Sequence, residues 1–182
     1  MFGGLFSSSE KKFSDDLLQF LIYIRKVEVE EMNVGMETIP LLNLSWRELN
    51  TAILERVSLP LSIAFIYFWL LKYYGERGDT VFGHLAQDLR AAGQSEVLGL
   101  VPMVMEAHNS AIKYLEENDD ESALGNPPWV IARGFCDLLF GVEKGANAPL
   151  ILYLSRYVAH RFEVVDVGIA EMGQKHLGTP KR

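Results

Sequence analysis

The residues in this sequence that are best suited to chemistry are carboxylates and histidines at helical spacing. Glu28 and Glu31 would share one face of a helix, and His160 stands one helical turn before Glu163. Di-iron carboxylate bundles draw their ligands from Glu residues and Glu-x-x-His pairs on several helices. The sequence has no Glu-x-x-His pair, and His160 and Glu163 stand in the reverse order. We therefore interpret these residues as exposed helix faces with local side-chain pairs, and we predict no metal site.

A nucleophile is equally hard to find. Cys136 is the only cysteine, and its neighbours from 134 to 140 are mostly apolar, so we expect a buried and unreactive thiol. A single cysteine excludes a disulfide within one chain and a cysteine-rich zinc site. The sequence also lacks the G-x-S-x-G turn of hydrolases and the glycine-rich phosphate-binding loops. It favours a protein that binds over one that catalyses.

Aromatic residues between 65 and 74 fit the wall of a pocket for an apolar ligand. Pockets for haem, lipids or quinones lie between helices and are lined by aromatics with a few polar groups, and a histidine can be an axial haem ligand. The other interpretation is that an aromatic stripe at helical spacing is simply core. The residues of the hypothetical pocket are Phe65, Phe68, Trp69, Tyr73, His108 and His160.

An acidic run stands where one of the predicted helices should end. Negative charge at a helix C-terminus opposes the helix dipole, so helix stability does not account for these residues. They form either a solvated loop or a docking site for a basic partner. The candidate docking residues are Glu116, Glu117, Asp119, Asp120 and Glu121.

The overall charge narrows the choice of partner. The chain has a formal net charge of −7 and a pI of about 5.1. Nucleic acids and anionic membranes are bound by clustered Lys and Arg, so neither is the expected main partner. The first nine residues lack the basic segment and the apolar stretch of a secretory signal. We expect a cytoplasmic protein that binds a protein of basic character or a second copy of itself.

The segment from 57 to 71 contains no formal charge and sets the fold class. It is shorter than the roughly 20 apolar residues that a membrane span needs; Pro60 interrupts it and Lys72 follows directly after it. It is apolar all round, which is typical of a helix in the middle of a core. Proline disfavours regular helix geometry just before it. The sequence therefore predicts a central helix that either kinks at Pro60 or restarts with Ser58 as its cap.

Helix signals dominate the remaining chain. Residues 45 to 48 fit a capping box, in which Ser45 and Glu48 satisfy each other's backbone amides. Apolar residues recur every three to four positions from 148 to 175, which indicates one long helix. Residues 162 to 167 are rich in β-branched side chains and could form a strand, but the continuity of the apolar stripe favours helix.

These signals lead to one prediction of fold and two of function. The length of 182 residues suits one domain. We predict an all-α, single-domain bundle of six or seven helices around a central apolar, Pro-kinked helix. The bundle would cover 10–177, with flexible segments at 1–9 and 178–182. Phe2, Leu5 and Phe6 in the first segment could pack on the domain, swap onto a second copy, or contact a target or a membrane surface.

For function, the sequence favours a protein that acts by protein–protein interaction, as an adaptor, chaperone or inhibitor does, without a cofactor. The alternative is a helical bundle that binds an apolar cofactor or ligand, such as haem or a lipid, in its aromatic core.

Overall fold

The fold is all-α, as the sequence predicts. The computed structural model describes residues 8–31, 38–39, 44–118, 126–141 and 148–179. Two short strands pair antiparallel at the sides of one connection. Six helices are described if the continuous rod over 46–74 is counted once. The elements are α1 Ser9–Glu31, β1 Thr38–Ile39, β2 Leu44–Ser45, α2 Trp46–Ile53, the π-helical turn Leu54–Ser58, α3 Leu59–Tyr74, α4 Glu76–Ala91, α5 Ser95–Asn118, α6 Pro127–Phe140 and α7 Ala148–Leu177.

The start of the central rod is the capping box that the sequence predicts. The Oγ of Ser45 accepts from the Glu48 amide at 3.2 Å, and the Glu48 carboxylate accepts from the Ser45 amide at 2.7 Å. Two of the amides that a helix start leaves unpaired are thus satisfied by side chains. The capping residues set where α2 begins.

A π-helical turn at Leu54–Ser58 joins α2 to α3 immediately before Pro60. Proline has no amide hydrogen, and in a regular helix its ring would clash with the carbonyl four residues earlier, which here belongs to Arg56. The wider π-helical turn contains Arg56, so it lies where this clash would otherwise occur. Ser58 has helical backbone angles and makes no cap, so the predicted restart at Ser58 is wrong. The predicted bend at Pro60 stays a prediction.

The apolar run forms the core of the bundle. Leu61, Ile63, Ile66 and Leu70 have no exposed surface, because α3 packs against α4, α5 and α7. One helix in the described part of the chain, Arg47–Tyr74, is long and apolar enough to cross a membrane, but 67% of its most apolar window is buried inside the protein. Such burial is typical of a core helix.

Close contact between α3 and α4 depends on two glycines. Gly75 has φ +56° and allows the tight turn between the helices. At Gly78 a Cβ atom would lie 2.2 Å from the Leu70 carbonyl oxygen. The backbones therefore approach to a distance that a side chain would prevent.

The last helix completes the bundle. α7 packs against α6, α3 and α1, and residues 162 to 167 are helical, as the continuous stripe predicts. α6 begins with two prolines behind Asn126, whose side chain accepts from the Trp129 amide at 3.0 Å. Prolines fit the first turn because the amides there have no partner inside the helix.

Contacts between the start of α1 and the end of α7 hold these helices together, in part through Arg77 of α4. Arg77 donates to Glu10 at 2.9 Å and to the Leu177 carbonyl at 3.2 Å. Asp16 lies 2.8 Å from Nε2 of His176. These contacts fix the register between α1 and α7, and this register positions the site described below.

Candidate functional site

A buried pair of opposite charges links α1 to α7. Glu28 is 4% exposed and Arg161 is 5% exposed. Each residue continues the apolar stripe of its helix. Leu21, Ile24 and Glu28 lie at helical spacing in α1, and Val158, Arg161 and Val165 do so in α7. The two stripes face each other because the helices pack together, and this packing brings the charges into contact.

Three side chains from two elements, α7 and the π-helical turn, supply donors to the Glu28 carboxylate. Nη2 of Arg161 and the hydroxyl of Tyr157 donate to Oε1, and the Ser58 hydroxyl donates to Oε2. Nη2 also contacts the Tyr157 oxygen at 3.2 Å. Burial raises the pKa of Tyr157 well above its ordinary value, so the phenol keeps its proton and remains a donor. The carboxylate is therefore paired and hydrogen-bonded, as a buried charge must be.

The guanidinium is less completely satisfied than the carboxylate. Both of its hydrogen bonds leave from Nη2, and the buried Nε has no partner among the described residues. An unpaired buried donor costs about 1–3 kcal/mol. The site thus holds a donor whose hydrogen-bonding capacity the bundle itself does not use.

A pocket of about 430 Å³ opens between α1 and α7 beside this pair. Its lining combines apolar side chains with the charged network, and Tyr23 and His160 stand at its exposed side. Concave sites with apolar walls and a few converging polar groups are typical of small-ligand pockets. The lining residues are Tyr23, Ile24, Val27, Glu28, Tyr157, His160, Arg161 and Val164.

The chain matches no protein-family model, no curated protein and no solved structure.

The aromatic residues proposed from the sequence fall into two separate clusters. Phe65 and His108 both contact the ring of Phe162, at 4.0 and 6.1 Å between centroids, and Phe68 lies 4.3 Å from His108. Trp69 packs against Tyr73 and Tyr74. The rings pack against one another and do not line the pocket between α1 and α7.

The two candidate histidines do not meet. His108 lies among the aromatic rings, and burial lowers its pKa below the ordinary value. His160 is largely exposed, 4.0 Å from Glu163, at the edge of the pocket. His160 is therefore the one residue of the predicted ligand set that the described pocket contains.

Two of the acidic sequence candidates are described, and neither is part of the pocket lining. Glu116 and Glu117 are exposed near the end of α5, and Glu117 pairs with Lys113 at 3.8 Å. Asp119, Asp120 and Glu121 lie outside the described residues.

Cys136 is not part of the pocket lining. It is buried, as the sequence predicts, and burial raises its pKa to about 12. Nowhere in the described ranges do three His, Cys, Asp or Glu side chains group so that they could hold a metal ion.

A second concave surface lies on another side of α1. Its lining is mainly apolar, with Arg25 and Glu55 among its members, and its volume is about 490 Å³. Ile22, which is 57% exposed, lies in it. The lining residues are Leu18, Leu21, Ile22, Arg25, Glu55, Leu59, Leu89, Ala92, Gln94 and Val97.

Proposed function

We propose that this protein binds a small, mainly apolar molecule in the pocket between α1 and α7, and that it does so in the cytoplasm. The observation that supports this proposal best is the combination of apolar pocket walls with a buried Arg161 that retains an unpaired N–H. If the ion pair only stabilised the core, a pocket beside it would have no role. An open pocket next to a spare buried donor gives a ligand both a surface to bury and a group to bind.

The dimensions suit a compact ligand. A pocket of about 430 Å³ lies at the lower end of the range of about 300–1,000 Å³ for ligand sites. Ile24, Val27 and Val164 supply apolar contact, and burial of such surface contributes roughly 25 cal/mol per Å². Tyr23 lines the pocket and is 64% exposed.

The test uses an environment-sensitive neutral dye, Nile red, with the purified chain. Its fluorescence should rise on binding, and a bulky residue inside the pocket should abolish the rise. Val164→Trp fills the pocket from α7. Val167→Trp is the matched control, since Val167 lies on the same helix, is 76% exposed and is not part of the pocket lining.

Loss of Nile red binding in Val164→Trp, with normal binding in Val167→Trp, is the expected result. Equal binding by both variants would place the dye elsewhere and refute the proposal. Native mass spectrometry of the freshly purified chain gives an independent measure, because a retained ligand adds mass to the 20.5 kDa chain.

A second candidate function is recognition of a basic protein partner, as an adaptor, chaperone or inhibitor would require. It is favoured by Ile22 and Val29, which are 57% and 43% exposed and, being seven residues apart, lie on one face of α1. Exposed apolar patches can mark interaction sites. The net charge of −7 opposes association with a second copy and favours a basic partner.

The two kinds of association differ in size and in salt response. Light scattering of the chain alone should give the mass of a monomer, and a multiple of 20.5 kDa would instead indicate self-association. A basic model protein, such as lysozyme, should bind more weakly as salt screens the acidic surface. Replacement of the acidic candidates by Ser should remove that salt-dependent part, and unchanged binding would exclude them. The residues to replace are Glu116, Glu117, Asp119, Asp120 and Glu121.

A further inference from the structure

The charges at the inner end of the pocket determine which head group a ligand can present. Glu28 and Arg161 are both buried and form a direct ion pair, so their formal charges cancel where the ligand would lie. A carboxylate entering the pocket would lose its hydration and would meet Glu28 as well as Arg161. An ammonium would meet Arg161 as well as Glu28. A charged head group therefore loses its hydration and gains no net electrostatic attraction from the pair.

The hydrogen-bonding groups further restrict the chemical class of the ligand's head group. The Glu28 oxygens already accept from Arg161, Tyr157 and Ser58. The Tyr157 proton is used in one of these bonds, so that the hydroxyl has none to offer a ligand. The unused capacity belongs to a donor of a side chain that lines the pocket: Nε of Arg161 is buried without a partner among the described residues, and a ligand would reach it through rotation of the guanidinium. The pocket therefore favours a ligand that presents an acceptor.

We propose that the pocket selects a neutral amphipathic molecule whose head is a hydrogen-bond acceptor, such as a ketone or ester carbonyl, with its apolar body against α1 and α7. This inference rests on the proposed ligand-binding function and assigns the chemical class of the ligand. Arg161 supplies the donor, and Glu28 prevents the guanidinium from attracting anions. Ile24, Val27 and Val164 contact the apolar body.

The test compares three probes that share a medium-length alkyl chain and differ in the head group. They are hexyl methyl ketone, octanoate and octylammonium, each used to displace Nile red from the wild-type chain. The ketone should bind most tightly. A hydrogen bond to a charged donor is worth about tenfold to a hundredfold in affinity, so about tenfold is the smallest expected preference over octylammonium, which presents no acceptor. Octanoate does present an acceptor, and it should bind more weakly than the ketone because its charge is desolvated beside Glu28.

Two variants test the roles of the paired charges. Glu28→Gln leaves the guanidinium charge uncancelled, so its preference should change from the ketone to octanoate. The double variant Glu28→Gln/Arg161→Met removes both charges and the donor, and its ketone affinity should fall about tenfold with little selectivity left. Arg156→Met is the matched control, because Arg156 is an exposed residue of the same helix. It should retain the wild-type order of affinities.

Each outcome separates the two proposals. Tighter binding of octanoate than of the ketone by the wild-type chain would overturn the neutral-head inference and leave ligand binding intact. Absence of Nile red binding would instead overturn the proposed function itself. If Glu28→Gln does not fold, the wild-type ranking and the double variant still decide the question.

Discussion

Replacement of Arg161 by Met should destabilise the fold strongly, because it leaves Glu28 as a buried charge without a cation. The side chains of Glu28 and Arg161 are 5% and 6% exposed, so solvent screens neither of them effectively. Removal of one partner from a buried ion pair typically costs 3–5 kcal/mol. Tyr157 and Ser58 would still donate to the carboxylate, so we expect a loss at the lower end, about 3 kcal/mol.

The measurement is urea unfolding followed by tryptophan fluorescence. The midpoint should fall while the m-value stays unchanged, since the surface exposed on unfolding is nearly the same. For a domain of this size, 1 kcal/mol shifts the melting temperature by about 2–4 °C, so about 3 kcal/mol corresponds to roughly 6–12 °C. Arg156→Met removes the same charge from an exposed position of α7 and should stay within about 0.5 kcal/mol of the wild type.

The double variant Glu28→Gln/Arg161→Met separates a buried charge from lost packing. Uncharged replacements of a buried ion pair are often neutral or stabilising, so this variant should recover most of the stability that Arg161→Met loses. If the double variant is as unstable as the single one, the loss comes from packing and the electrostatic argument fails. A loss below about 1 kcal/mol in Arg161→Met would contradict the burial of the pair.

Three further predictions concern other parts of the fold. Gly78→Ala should destabilise the fold by about 1–3 kcal/mol, because its Cβ would lie 2.2 Å from a backbone oxygen. Gly83 lies in open space on the same helix, so Gly83→Ala should stabilise the fold by about 0.5–1 kcal/mol in thermal unfolding. Cys136 should resist iodoacetamide at pH 8 until the chain unfolds, since burial raises its pKa to about 12; labelling at the rate of a free thiol would contradict its burial. Hydrogen bonds from His176 and Lys175 lower the pKa of Asp16 in the folded chain. Asp16 therefore stabilises the fold at pH values above its unfolded pKa of about 4. This contribution is lost as the pH falls through the lower pKa of the folded state. The stability difference between wild type and Asp16→Asn should therefore shrink on acidification, and a difference that does not depend on pH would exclude this role.

The parts of the fold that the sequence predicts well are those with local causes. The capping box from Ser45 to Glu48 depends on residues within one turn, and it forms as expected. The helix over residues 162 to 167 follows from an apolar stripe longer than the β-branched segment it contains. The π turn before Pro60 was not expected, because proline predicts a disturbed helix but does not specify how the chain accommodates it.

The sequence does not predict the candidate site, because the residues that form it are distant in sequence. Local spacing pairs Glu28 only with Glu31, and it offers His160 only as a partner of Glu163 or as an axial ligand. The sequence does contain a signal for the buried pair, because Glu28 and Arg161 each occupy a position in the apolar stripe of a helix, where a hydrophobic residue is expected. Opposite charges in core positions of two long helices predict a buried pair. Sequence alone does not show which helices pack together, so the partner and the pocket required the structure.

The pairing of Glu28 with Arg161 also has a consequence for synthesis on the ribosome. The two residues are 133 positions apart, so at about 5–20 residues per second Arg161 is made roughly 7–27 s after Glu28. Throughout that interval α1 carries a carboxylate on its apolar face and has no cation to pair with it. Water must continue to solvate that face, which opposes early collapse of α1 onto the central rod. The nascent chain therefore reaches its native packing only after α7 emerges, so a truncated or stalled product that lacks α7 should remain open and sensitive to proteases.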